Sequence, residues 1–241
     1  MTGRRLSKPP IVEALIDVRV AAREGGLGSL EEIHEKVKAE YPVKRGRALE
    51  HLQVAAKGDA KQITHTQELQ GFAFVSADEK RIFQVRRDGI TLNWVGDYDS
   101  WDALQGEAAR LYPLYREAAR PEAIEYLGVR YINRIRLPAG AQLEEWMSLR
   151  LTVPQALPQT LGDLQMRVLL PFGDDIVAMV ISVLQPAEVG ADWILDIEVR
   201  DMTKTPDSRP EAIWPKLVRL REVKNEIFFA STTERALESY R

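Results

Sequence analysis

After Pro9-Pro10 the chain alternates: Val12, Ala14, Ile16, Val18 and Val20 share one side, while Glu13, Asp17 and Arg19 share the other with Ile11 and Leu15. A period of two marks a strand with one buried face, so residues 11–20 read as a strand, ended by the glycines at 25, 26 and 28. Helical spacing follows over 29–41, through Leu30, Ile33, Val37 and Tyr41, and Ser29 with Glu32 fits a capping box. A short strand is expected at 52–56, and the polar stretch 57–68 reads as irregular. Three β-rich runs come next, FAFV, IFQV and ITLNWV, the last two separated by Asp88-Gly89, a strong hairpin signal.

Asp99 or Ser100 caps a helix whose apolar stripe runs Trp101, Leu104, Ala108, Leu111, Tyr115 and Ala118. Pro113 lies inside that stripe and is expected to kink or divide the helix near Tyr112, since proline offers no amide hydrogen and displaces the i−4 carbonyl.

From 126 the order begins again. YLGVRYINRIRL places Leu127, Val129, Tyr131, Asn133, Ile135 and Leu137 on one side and Arg130, Ile132, Arg134 and Arg136 on the other. A short helix is expected over QLEEWMSL and a loop over 151–162, with prolines at 154 and 158. LQMRVLLPF and IVAMVISVL flank Gly173-Asp174-Asp175 as a second hairpin, and WILDIEVR is a further alternating strand. Ser208, Pro210 and Glu211 announce a long helix through Ile213, Leu217, Leu220 and Ile227, and Ser231 with Glu234 a short terminal one.

Residues 1–120 and 121–241 thus form two similar α+β units, the second with a helical tail. The fold class expected is α+β: a duplicated strand, helix, antiparallel strands and long helix, with the helices on one face of the antiparallel sheet. No flexible linker separates the units, so one continuous body is expected. Its shape resembles the saddle of the TATA-box-binding-protein and helix-grip folds, an analogy of fold alone.

Composition narrows the chemistry. The 33 basic and 36 acidic residues of the 241 leave a net charge of −3, which gives no global field for nucleic acid. Absence of cysteine removes disulfides, thiolate metal sites and a cysteine nucleophile. No apolar run reaches about 18 residues, and MTGRRLSKPP does not lead into a signal-peptide core, so a cytoplasmic location without membrane attachment is expected. His34, His51 and His65 lack ligand spacing, and neither a phosphate loop nor a GxSxG elbow is present, so no metal or cofactor is expected.

The charged strand faces remain. Glu13, Asp17 and Arg19 on the first strand, Arg130, Arg134 and Arg136 on the central one, and Asp196, Glu198 and Arg200 on the last would gather on the open side of the sheet, where guanidinium forks hold anions. Alternating charges also arise from solubility and cross-strand pairing alone. Asn133 lies among apolar neighbours and needs amide partners, from the backbone or from a pocket ligand. The candidate ligand-binding set is Glu13, Asp17, Arg19, Arg130, Asn133 and Arg134. The leading expectation is a binding or regulatory module for a partner protein or small anionic ligand, with a homodimer among the possible assemblies. The alternative is a hydrolase or transferase built on carboxylates and arginines, and nucleic-acid binding ranks third.

PPIVEALIDVRV, GVRYINRIRLP and FFASTTERALE together resemble a sporadically distributed bacterial family with an N-terminal PPIxEA strand and a central GxRYINR strand. The resemblance implies no catalytic residue. It brings forward Pro10, Glu13, Arg130, Tyr131, Asn133 and Arg134 as strand-end structure or a shared site, and implies an accessory or defence-linked protein working beside a partner.

Overall fold

The computed structural model describes residues 6–21, 26–57, 60–149, 154–157 and 163–241, with the side chains of 50–67 outside the description. Nine strands form one open antiparallel sheet. They are β1 (Ile11–Val20), β2 (Val43–Lys57), β3 (Ala60–Val75), β4 (Arg81–Arg86), β5 (Gly89–Val95), β6 (Ile124–Leu137), β7 (Leu164–Phe172), β8 (Ile176–Pro186) and β9 (Ala191–Asp201). Their order is β2-β3-β4-β5-β1-β6-β9-β8-β7. The leading strands of the two units are neighbours at the centre, with Ala14 opposite Tyr131, Ile16 opposite Val129 and Val18 opposite Leu127.

The alternation of β1, β6 and β9 chooses which side is buried. Ala14, Ile16, Val18, Leu127, Val129, Ile135, Leu195 and Ile197 all lie on one face at or near zero exposure, each large aliphatic contributing about 1.5–3 kcal/mol by leaving water. That face is covered by α1 (Leu27–Val37) on β3 and β4, α2 (Trp101–Ala119) on β5 and β1, and α3 (Pro210–Ser231) on β6 and β9. A short α4 (Glu234–Leu237) follows, capped by Thr233. The repeated strand–helix–strand unit and the one-sided helices are as the sequence pattern implies.

Several local expectations are corrected. Residues 52–56 are part of a long strand, and the stretch read as irregular is mostly β3, which pairs with β2 from Lys57–Ala60 to Val43–Val75. A ladder satisfies backbone groups whatever the side chains, so this polar hairpin needs no apolar period. Residues 58 and 59 of its turn lie outside the described residues, as does most of the expected 151–162 loop.

The helix expected over QLEEWMSL is a single 3-10 turn, Leu143–Glu145, after which Met147 bridges to Thr232. The second unit therefore lacks, among the described residues, a helix in the place of α1. Neither expected capping box at α1 or α3 forms. Gly26, at φ 85°, stands at the N-cap of α1 while Ser29 Oγ donates to the Gly26 carbonyl, and Ser208 Oγ is spent on the Pro121 carbonyl. At the chain end Ser231 completes α3 and Thr233 caps instead. Ser100 does cap α2, accepting from Ala103 N at 3.1 Å. Pro113 does not divide that helix: it sits on the exposed side, where solvent reaches the carbonyl its missing amide leaves free.

Candidate functional site

The uncovered face of the sheet carries the charges, and Asp17 is its best-connected residue. Only 7% exposed, its carboxylate accepts from Thr91 Oγ1 at 2.6 Å, Arg86 at 3.1 Å, Arg19 Nε at 2.9 Å and the Tyr126 hydroxyl at 2.9 Å. Strand register explains the meeting: Asp17 lies opposite Thr91 on β5 and Gly128 on β6, and Asp17, Tyr126 and Arg200 converge around Gly128. Burial works to raise the Asp17 carboxyl, but the charge of Arg19, the hydrogen bonds from Thr91 and Arg19, and the charge of Arg86 prevail and hold it below its ordinary value.

Asp88, in the β4–β5 turn, joins the same cluster by pairing with both Arg19 and Arg86. Arg86, 8% exposed, also donates to Thr91 at 2.9 Å. Arg19 and Arg200 approach the Tyr126 ring from 5.9 and 5.6 Å. Further along, Glu13 accepts from Asn93 at 2.7 Å, and Asn93 accepts from Gln84 at 2.8 Å. Arg130 grips Asp196 with two bonds of 2.8 and 2.6 Å, the bidentate geometry that makes such pairs strong.

The candidate residues therefore divide. Glu13, Asp17, Arg19, Arg130 and Arg134 share the open face. Asn133 does not: it is buried beneath the helices, its amide donating to the Leu195 carbonyl at 3.0 Å. Its place in β6 had already put it on the apolar side, and a backbone acceptor on β9 resolves its polarity. Trp193, at the start of β9, is also buried, with Nε1 donating to Ser182.

No family model matches the chain, and no curated protein matches it. The site must be judged on its own chemistry.

Two features of that chemistry stand out. Where side chains are described, the strands present to the open side arginines at 19, 45, 47, 86, 130, 134, 136, 167 and 200 but carboxylates only at 13, 17, 192, 196 and 198, and no lysine. Adding Asp88 and Glu79 of the adjoining turns, which pair with Arg19, Arg86 and Arg45, the described part of the face still has a small excess of arginine, within a chain of net charge −3. The second feature is that the arginines are not all neutralised. Arg134 stands 3.9 Å from Asp192, and Arg47 pairs with no carboxylate among the described residues. Burial and the repulsion of Arg86 and Arg19 lower the Arg47 pKa.

Sequence reasoning overlooked Arg47, Arg86, Thr91 and Tyr126. The signal for Arg86 was present, since Gln84 and Arg86 alternate with Phe83 and Val85 in IFQVR. Two cavities, of about 530 Å³ between α1 and α2 and about 290 Å³ beside Trp94, have none of the six candidate residues in their walls. Among the described residues no cluster of histidine and carboxylate side chains suits a metal, and no helix is long and apolar enough to cross a membrane.

Proposed function

We propose that the protein is a binding module whose open sheet face docks the acidic surface of a partner protein. The observation that carries this reading is the excess of arginine on that face in an acidic chain. Nine strands at about 4.8 Å spacing make a surface roughly 38 Å across, a scale suited to a macromolecule more than to a small anion. Arginine's planar fork and weak hydration favour paired contact with carboxylates, and the ion pairs around Asp17 keep neighbouring guanidinium groups fixed before a partner arrives.

A catalytic reading draws nothing from the same residues. Asp17 is held ionised with its lone pairs taken up by four donors, and Asp196 is committed to Arg130. Asp17, its pKa lowered by its donors, is not poised to exchange a proton near neutral pH.

The test is fluorescence anisotropy with a labelled polyglutamate peptide as the acidic probe and a single-stranded oligonucleotide of equal charge beside it. Wild-type protein should bind the peptide, more weakly as salt rises. The double substitution Arg47→Glu and Arg134→Glu should reduce that affinity by at least about tenfold, because both groups are exposed and lightly paired. Unchanged peptide affinity in the double variant would refute the reading. Preference for the oligonucleotide would transfer the face to nucleic-acid binding.

A further inference from the structure

The two outer strands of the sheet are opposite in character. β2 begins Val-Lys-Arg-Gly-Arg, the charged kind of edge that resists pairing with another chain. β7, at the other edge, reads LQMRVLLPF, with a single charge among its nine residues, and its neighbour β8, IVAMVISVLQP, has none. Strands apolar on both sides are normally buried on both sides. Here the row Leu164, Met166, Val168, Leu170 and Phe172 is only half-buried on the side of the helices, where α3 packs on β6 and β9. On the open side Leu169 is 55% exposed, opposite Met179, with Pro171 opposite Val177.

The direction of the backbone groups at this edge follows from a nearby turn. Ala187 N donates to the Gly190 carbonyl at 3.3 Å, closing the β8–β9 hairpin, and from there the pairs run without a register shift through β8 to β7. Hydrogen-bonded and non-bonded pairs alternate in an antiparallel ladder. The odd-numbered residues of β8 therefore bond β9 and the even-numbered ones bond β7, which leaves Gln165, Arg167, Leu169 and Pro171 with their backbone groups turned outward. Proline suits that place, since its missing amide hydrogen costs no bond within the sheet.

The sequence of β7 is also self-complementary about Val168. Antiparallel pairing of two copies about a two-fold axis there sets Val168 against Val168, Met166 against Leu170 and Leu164 against Phe172 on the helix side, and Arg167 against Leu169 on the open side. Each Arg167–Leu169 pair exchanges both backbone bonds, and Gln165 N–H reaches the Pro171 carbonyl. Arg167 does not obstruct the approach, because its Nε is turned back toward Met179 Sδ on β8, at 3.1 Å. We propose that two copies of the chain join β7 to β7 in this register, extending the two sheets into one with all helices on the same face.

The size of the contact sets its strength. Nine residues at about 3.4 Å rise, on a sheet about 10 Å thick, cover roughly 300 Å² per copy, well under the total of about 1,200 Å² at which stable complexes begin. The dimer is therefore reversible: the chain is monomeric at about 5 μM and dimeric toward about 1 mM.

The experiment is sedimentation equilibrium of the whole chain across that range. The average mass of wild-type protein should rise from 27.3 kDa toward twice that value and stop there, because a two-fold pairing closes on itself. Leu169→Lys places a cation opposite the partner's Arg167 on both sides of the axis and should weaken association about tenfold, whereas Leu169→Glu faces the same arginine with a carboxylate and should keep or strengthen it. Leu169 is exposed, so neither variant disturbs the core. A mass constant at 27.3 kDa up to 1 mM, growth beyond the dimer, or equal weakening by both variants, as unspecific apolar contact would give, would overturn the proposal.

Discussion

At the scale of single residues, two buried charges obey opposite rules. Asp17 has four donors, and Lys224 rests on the face of the Tyr131 ring. Replacing Asp17 with Asn removes the charge that Arg19 and the buried Arg86 share, and leaving a buried partner uncompensated costs about 3 kcal/mol. The expected result is a lower urea midpoint with an unchanged slope. Because the folded-state pKa of Asp17 is depressed, its contribution is complete above about pH 4, the unfolded value, and is lost as the pH falls through the lowered value. Asp17→Asn should therefore flatten the acid side of the stability profile. An equal acid dependence in both proteins would show that the cluster contributes nothing through this group. For Lys224, burial prevails over the attraction of the Tyr131 ring and lowers the amine from its ordinary value to about 7. Neither environment was visible in the sequence: Asp17 stood in a strand with one near charge, and Lys224 looked like one of many charged positions on a mixed helix.

At the scale of elements, alternation was informative wherever one face is buried, because a one-residue slip would expose a whole row. That is why β1, β6 and β9 could be placed together with their inward residues. The β2–β3 hairpin lacked that constraint over most of its length, so only 52–56 and FAFV were read as strand and the rest of β2 and β3 was missed. Capping was misread for another reason: Ser29 and Ser208 had the right spacing, but nearby carbonyls captured their hydroxyls. Turns offer a sharper test. Gly89, at φ 139°, pairs with Arg19, and a β-carbon there would meet the Val18 carbonyl oxygen at 2.0 Å. Gly173, at φ 72°, turns between β7 and β8 in open space. Gly173→Ala should cost about 1 kcal/mol, the left-handed penalty alone, whereas Gly89→Ala should cost at least about 3 kcal/mol, since the clash separates β5 from β1. Thermal denaturation of the two variants gives the comparison. Similar losses would mean that backbone conformation, not close approach, governs Gly89.

At the scale of the whole molecule, the seam between β1 and β6 decides whether the two units are separable. Besides its ladder, the seam includes a bond from Arg134 N to the Pro10 carbonyl at 2.8 Å, the Tyr98–Tyr131 contact, and the Tyr112 hydroxyl donating to the Ser208 carbonyl at 2.9 Å. Every one of these joins a residue before 121 to one after it. Cutting there would leave β6 with an unpaired edge and uncover the apolar row Leu127, Val129 and Tyr131, and exposed edges of that kind favour association. The second unit is the more vulnerable, since among the described residues α3 is its one long helix on the sheet. Residues 121–241 expressed by themselves are therefore expected to retain far-ultraviolet dichroism, lose near-ultraviolet signal from Trp193 and Tyr131, and self-associate in gel filtration. Adding residues 1–120 should restore both signals at monomeric size. If 121–241 instead unfolds cooperatively as a monomer, the seam is an interface between independent domains, and the positive face would have to be reconsidered as two surfaces free to move against each other.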